Sequence, residues 1–566
     1  MMNFLKKSKL DIIILQLGVS LLFFLLYSGF NYEILYFENF SWFLKPSITN
    51  DIETYWISWE FFRNTDIFQF PLFLNPDYGN GFNVSIYHTD AIPIAAFTLR
   101  FFTDFLPVNF QYLGLWSFMS FFLMLFFSYK LLNIFIPNKL ICFISSTFFL
   151  IAPPFIDRVF TQQAVSSHWL VIASLYFYYS NQYSYKIWNL ILIISILING
   201  YLATIVFAVF IASTFINYYK SSKLVFFKKV FFTLSFMILV SYSTGLFSIG
   251  KGLKEGGFEL YGMSLLGFVN PSSPTGFYSV LINKLLSSNI LFVKEVEGFA
   301  FLGAGILILI FIVLINFKTS IKAFKSSIPH LPLIVLSFIL LIYSFSNNIF
   351  FLGNVDFLGS QRLFVYTVPE ILEPLVKVFR ASGRFSWLLF YLIYLFTFIG
   401  MYQLKNKKNI VLILSLILLF QVADNYKIIN IFKNELKSDK VYTTAIAKMG
   451  LKDPIWKIVE KDYKKINIYP IKNKPKDYTR IAFFASEKGL STNFGYFSRI
   501  NHTIEERLNN KMINDFNKGT FNEKIVYIIQ DDVKWDLLNE LYSKDSLDFF
   551  IKEVDGYRLF IPNLTN

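Results

Sequence analysis

The chain has 566 residues, of which 55% are hydrophobic and only 16% charged, with 70 Phe, 33 Tyr and a formal net charge of +14. Soluble domains carry about 25% charged residues. Here the apolar surplus is gathered into runs of about 15–20 residues, long enough for a bilayer core of about 30 Å. These values exclude a soluble enzyme, a nucleic-acid-binding protein and a disordered scaffold, and they imply a polytopic membrane protein.

Apolar runs bounded by charged breaks predict about eleven spans: 12–30, 112–129, 140–154, 165–180, 187–199, 201–217, 230–249, 300–317, 331–347, 386–403 and 409–423. The first run has no small-residue cleavage site behind it, so an uncleaved helix is expected there. Every second loop is basic: Lys6, Lys7 and Lys9; Lys130 and Lys139; Lys186; Lys220, Lys223, Lys228 and Lys229; Lys318, Lys322 and Lys325; Lys405, Lys407 and Lys408. By the positive-inside rule the N-terminus is then cytoplasmic and the tail extracytoplasmic. The long loops 31–111, 250–299 and 348–385 fall on the outer side. Within the first of them, Ala91–Phe102 is apolar but too short to span, and is expected to lie along the interface. No internal or inverted repeat is visible, which argues against a secondary transporter.

Residues 424–566 hold 24 Lys/Arg and 20 Asp/Glu, and their composition is that of a small soluble α/β domain following a membrane module over 1–423. Strands are expected at Lys465–Ile471, Ile481–Ala485, Ile525–Gln530 and Tyr557–Ile561, and helices at Asp453–Tyr463, Ile504–Phe516 and Asp532–Tyr542. Asp531 or Asp532 caps the last of these helices. A single Cys, Cys142, lies inside an apolar run and there are four His, so neither an internal disulfide nor a Cys-based metal cluster is possible.

Few residues carry chemistry. Asn50-Asp51-Ile52-Glu53 begins a helix beyond the first span; the two acids suit a helix N-terminus and equally suit proton abstraction from a sugar hydroxyl or metal binding. His88 and Asp90 stand two apart, with Asp90 expected to cap the interfacial helix, and could instead bind a polar substrate. Asp157-Arg158 follows the third span as a local ion pair, and His168 beyond it is read as a buried, hydrogen-bonded residue. Arg380 and Arg384, spaced i, i+4 on the outer side and at a helix N-terminus, run against both the positive-inside trend and the helix dipole, unless an anion such as a phosphate occupies the spot. Lys251 and Lys254 would add to that field.

Taken together, Asn50-Asp51 through Trp59-Glu60-Phe61-Phe62-Arg63, Phe70-Pro71-Leu72, Thr89-Asp90-Ala91-Ile92-Pro93, Gln111-Tyr112-Leu113-Gly114-Leu115-Trp116 and Arg380-Ala381-Ser382-Gly383-Arg384 resemble a family of bacterial membrane proteins of GT-C type, the integral-membrane glycosyltransferases. The resemblance covers most of residues 40–400. It implies a polytopic α-helical GT-C-like module with an extracytoplasmic α/β domain, in the bacterial cytoplasmic membrane. It also implies transfer of a hexose or pentose from a polyprenyl-phosphate carrier to a cell-envelope glycan, lipid or protein on the non-cytoplasmic side. On this resemblance Asp51 is the catalytic base and Glu53 completes an Asp-x-Glu pattern. His88, Asp90, Asp157, Arg158, Arg380 and Arg384 are the candidate substrate-binding residues. A divalent cation, Mg or Mn, is a possible cofactor, with Asp51, Glu53 and Asp90 as its carboxylates. The alternative, a lipid-linked glycan flippase, would need a polar path through the spans, which hold few charges.

Overall fold

The computed structural model describes residues 9–43, 50–180, 183–250, 257–286, 295–318, 331–353, 362–404, 406–436, 450–542 and 549–564. Lys251 and Lys254 lie outside the described residues. Among the described residues, five helices are long and apolar enough to cross a membrane: Lys9–Tyr27, Leu113–Phe135, Gly200–Tyr219, Lys223–Thr244 and Ser382–Tyr402. Two bent pairs, Lys139–Leu150 with Pro153–Val159 and Lys407–Asp424 with Tyr426–Glu435, raise the number to seven if each is one span. The first bend falls where Pro153 and Pro154 open a new helix, positions that suit proline's missing N–H and fixed φ.

The expectation of eleven spans is met only to that extent. Four of the apolar runs form helices in the 10–17 residue class, which at about 1.5 Å per residue fall short of a core of about 30 Å. Trp169–Tyr179 is one of them: its residues from Trp169 to Leu175 are all buried, so its all-round apolarity is matched by protein burial. The chain is thus a multi-pass membrane protein, mostly helical, with a small sheet domain near its C-terminal end.

The chain divides into two compact units, one of Met1–Leu35, Leu113–Met237 and Glu255–Lys437, the other of Tyr36–Tyr112, Ile238–Lys254 and Ser438–Asn566. In the first, Leu113–Phe135 packs against Lys9–Tyr27, Lys139–Leu150 and Trp169–Tyr179, with Phe24 edge-on to Phe121 at 6.0 Å. Gly114 makes the packing with the first segment possible, since a Cβ there would lie 1.9 Å from the Ile34 carbonyl oxygen. In the third long loop, β1 (Asn348–Phe350) pairs antiparallel with β2 (Arg362–Val365).

The second unit is built on five strands: β3 (Lys465–Tyr469), β4 (Ser491–Thr492), β5 (Ile525–Ile529), β6 (Phe549–Val554) and β7 (Tyr557–Pro562), in the order β4-β3-β5-β7-β6. β3 is parallel to β4 and β5, while β5–β7 and β7–β6 are antiparallel. A parallel pair needs a crossover, and this corrects one expectation: Ile481–Ala485 is no strand but the middle of the crossover helix Tyr478–Glu487. Its buried Tyr478, Ile481, Ala482 and Ala485 recur at helical spacing. The first long loop packs onto this domain. Asn80 N–H donates to the Thr492 carbonyl at 2.5 Å and Thr492 N–H to the Asp77 carbonyl at 2.8 Å, which covers the edge of β4. Trp56 stacks on Phe483 at 5.2 Å, and Tyr78 packs between Phe61 and Phe497.

Candidate active site

Helix Asn50–Phe62 begins at Asn50, so Asp51 and Glu53 both stand in its first turn, where unpaired N–H groups and the helix dipole favour negative charge. One turn on, the Thr54 hydroxyl is hydrogen-bonded to the Tyr478 hydroxyl at 2.8 Å. Burial pushes the Glu53 carboxyl up to about 7, opposed by a hydrogen bond from the Thr479 side chain and the Lys474 ammonium. A carboxyl balanced in this way exchanges a proton near neutral pH. At the other end of the helix, burial pushes Glu60 up to about 8 against the pull of Arg63. Arg63 itself donates to the Pro107 carbonyl at 3.0 Å, a structural role.

His88 and Asp90 belong to the same unit and act in its framework. The His88 Nδ1 accepts from Ser85 N–H at 3.0 Å, which leaves Nε2–H to donate to the Leu246 carbonyl at 3.2 Å. Burial lowers its pKa to about 4. Because the folded value lies below the ordinary 6.5, the neutral ring's contribution to stability is full above about pH 6.5 and is lost as the pH falls towards 4. The loss is on the order of 3 kcal/mol. The unfolding temperature of the wild-type protein in detergent should therefore drop over that interval, and the drop should shrink in His88→Gln, which cannot titrate. An equal drop in both would place the titration elsewhere. Asp90 does not cap the interfacial helix. It ends the short 3-10 turn Ile86–Thr89 with φ +50°, a left-handed conformation Asp tolerates. Helix Pro93–Arg100 is entered through Ile92, without a side-chain cap and with Pro93 in its first turn. Among the described residues, no three His, Cys, Asp or Glu side chains are placed to share a metal ion. The expected Asp51, Glu53 and Asp90 carboxylate cluster is therefore not assembled.

The other candidates lie in the first unit, where they form a buried charged cluster. Arg384 donates from Nε to Glu297 Oε2 at 3.0 Å, and its Nη2 lies 2.9 Å from the same oxygen. Arg158 Nη2 reaches that oxygen at 3.2 Å. Gln162 Oε1 accepts from Arg158 at 2.9 Å and from Arg384 at 3.3 Å. Burial works to raise the Glu297 pKa, but Arg158 and Arg384 outweigh it and hold the carboxyl below its ordinary range. The expected local pair is loose: Asp157 lies 3.7 Å from Arg158 Nε and accepts from the Tyr278 hydroxyl at 3.2 Å.

Arg380 and Arg384 do not share a helical face, since Ser382–Ser386 is a 3-10 turn preceding helix Trp387–Tyr402. Arg380 is half-buried and lies over the Tyr261 ring at 5.6 Å, whereas Arg384 is buried and lies over Tyr201 at 4.7 Å. His168 is buried, with Nδ1 2.6 Å from the Tyr391 hydroxyl and its ring 4.1 Å from Trp387. Sequence reasoning missed Glu297 and Gln162. The visible signal was Glu295-Val296-Glu297, two acids just ahead of an apolar run.

A family model described as Domain of unknown function (DUF6311) matches residues 17–426, and a second, the DUF6311 C-terminal domain, matches residues 455–562. No curated protein matches the chain. A solved structure of the Archaeoglobus fulgidus oligosaccharyltransferase in the apo form is similar at a TM-score of 0.38 and 10% identity, over 85% of this chain and 64% of that one. The chain thus spans less than two thirds of that protein's length.

Proposed function

The chain therefore belongs to the DUF6311 family, and we propose that it is a membrane glycosyltransferase, moving a sugar from a polyprenyl-phosphate carrier to a cell-envelope acceptor on the non-cytoplasmic side. The observation that carries the reading is the acidic first turn of the first-loop helix, where Asp51 is accompanied by Glu53 with a carboxyl near neutrality. A lipid phosphate is a good leaving group, so the reaction needs a base for the acceptor hydroxyl and positive charge for the phosphate, with no general acid. Asp51 and Glu53 take the first role. For the second, Arg380, half-buried over the Tyr261 ring, supplies a guanidinium group, and Arg is suited to bidentate phosphate recognition; Arg158 and Arg384 join it where the phosphate displaces Glu297 from them. The 1–423 module holds the lipid-linked donor, and the 424–566 domain helps bind the acceptor.

The test is a reconstitution in vesicles loaded with a radiolabelled polyprenyl-phosphate sugar, together with surface-glycan profiles of a deletion strain. Transferred sugar, free polyprenyl phosphate and a glycan lost on deletion are expected. Labelled lipid that changes leaflets with its sugar still attached would replace this reading with the flippase.

A further inference from the structure

The most exposed apolar side chains of the first long loop lie beside the segment Ala91–Phe102 and at its end. Helix Pro93–Arg100 turns Pro93, Ala96 and Arg100 inward. The large exposed side chains stand in the loops on either side of it: Phe68 is 96% exposed, Phe105 86% and Val108 76%, with Phe70, Phe101 and Phe102 each more than half exposed. Isolated exposed apolar residues are ordinary, but a group of aromatics on neighbouring loops marks an interaction surface.

Two arginines join these loops into one body. Arg100 is buried, lies over the Phe62 ring at 4.7 Å and donates to the Leu72 carbonyl at 3.4 Å, which ties the 66–72 loop to the end of helix Pro93–Arg100. Arg63 donates to the carbonyls of Pro107 and Thr103 and so fastens the 101–108 loop to helix Asn50–Phe62. What covers the aromatics follows from a third contact. Leu72 N–H donates to the Ser243 carbonyl at 2.9 Å and the Phe70 ring lies 5.8 Å from Tyr242. The 66–72 loop therefore rests on the last turns of Lys223–Thr244, a helix long and apolar enough to span. That helix leaves Ile238, Leu239 and Tyr242 exposed, as a lipid-facing helix does. The aromatic loops continue the exposed apolar surface of that helix.

We propose that the 66–70 and 101–108 loops insert their aromatic side chains into the bilayer interface beside the Thr244 end of helix Lys223–Thr244, with lipid headgroups and upper acyl chains as the partner. Asp66 and Asp104, exposed in the same loops, keep the insertion shallow, because carboxylates remain at headgroup level. Through Arg63 the inserted loops anchor the helix that carries Asp51 and Glu53. The inference does not depend on glycosyl transfer.

Nitroxide labels test it in the full-length protein. Cys142 is buried, so the native background stays unlabelled. Phe68→Cys and Phe105→Cys would be labelled and reconstituted into phosphatidylcholine–phosphatidylglycerol vesicles, beside a Val533→Cys control on the tail domain, where Val533 is 79% exposed. Collision rates with oxygen, which partitions into lipid, and with a water-soluble nickel chelate would then be compared. The expected result is oxygen-dominated relaxation at both loop sites and chelate-dominated relaxation at Val533. Chelate-dominated relaxation at both loop sites overturns the proposal. So does exclusion of both reagents with spin–spin broadening, which would mean that a second copy of the chain covers the patch.

Discussion

Replacing Glu53 with Gln should lower sugar transfer by about 10²–10⁴-fold, the usual value of a positioned base, and should at the same time raise the unfolding temperature at pH 8. The two effects share one cause. Burial holds the folded-state carboxyl at about 7 rather than the ordinary 4.5. The stability gained by keeping it neutral is therefore full below about pH 4.5 and is lost as the pH rises through 7. At pH 8 the wild-type protein carries an ionised, partly buried carboxylate that Gln removes, a relief on the order of 1–3 kcal/mol. Because the base acts ionised, wild-type kcat/KM should fall on the acid side with a midpoint near pH 7. Asp51→Asn should also abolish transfer, since the two carboxylates share the first turn of one helix. Near-normal turnover in Asp51→Asn would remove Asp51 from the chemistry. A Glu53→Gln variant that lost activity and stability together would make Glu53 a structural residue.

The second large effect concerns Glu297. Its carboxylate neutralises two guanidinium groups that are more than nine-tenths buried, and Glu297→Ala would leave Arg384 without that counter-charge and Arg158 with only the loose Asp157 contact at 3.7 Å. Breaking a buried ion pair from one side costs about 3–5 kcal/mol, so the variant should melt far below wild type in detergent. The companion variant separates structure from function: replacing Arg158 and Arg384 with Met and Glu297 with Leu together removes both guanidinium groups with their shared carboxylate and leaves Asp157 its hydrogen bond from the Tyr278 hydroxyl. Such replacements are frequently neutral in stability, so the triple variant should fold. If the arginines hold the donor phosphate, it should fold without transferring sugar. Wild-type transfer by a stable triple variant would reduce the cluster to packing.

The sequence made much of this legible. The apolar runs and charged breaks mark every one of the long helices, because crossing a bilayer demands an unbroken apolar stretch that few other structures tolerate. Helices Ile455–Asp462 and His502–Lys518 and strands β3, β5 and β7 lie where periodicity puts them. The misses have local causes. Ile481–Ala485 reads as a strand since five residues are too few to separate period 2 from 3.6, and the parallel pairing of β3 with β4 decides for a helix. Strand β6 opens with three apolar residues, Phe549-Phe550-Ile551, and shows no alternation to detect.

For the site, sequence by itself determined the residue types and their local setting: two acids in the first turn of a loop helix, arginines at loop ends and an acid-poor, cysteine-poor membrane module. These follow from covalent neighbours and helix geometry alone. Tertiary structure decided what each charge faces. Glu53 is tuned by Thr479 and Lys474 from the far end of the chain, and Arg384 meets Arg158, Glu297 and Gln162 rather than Arg380. His88 spends both ring nitrogens inside its own framework. The physical reason is that proton affinity and ion pairing depend on burial and on charges within a few ångströms, and those distances exist only once separate stretches of chain have packed together.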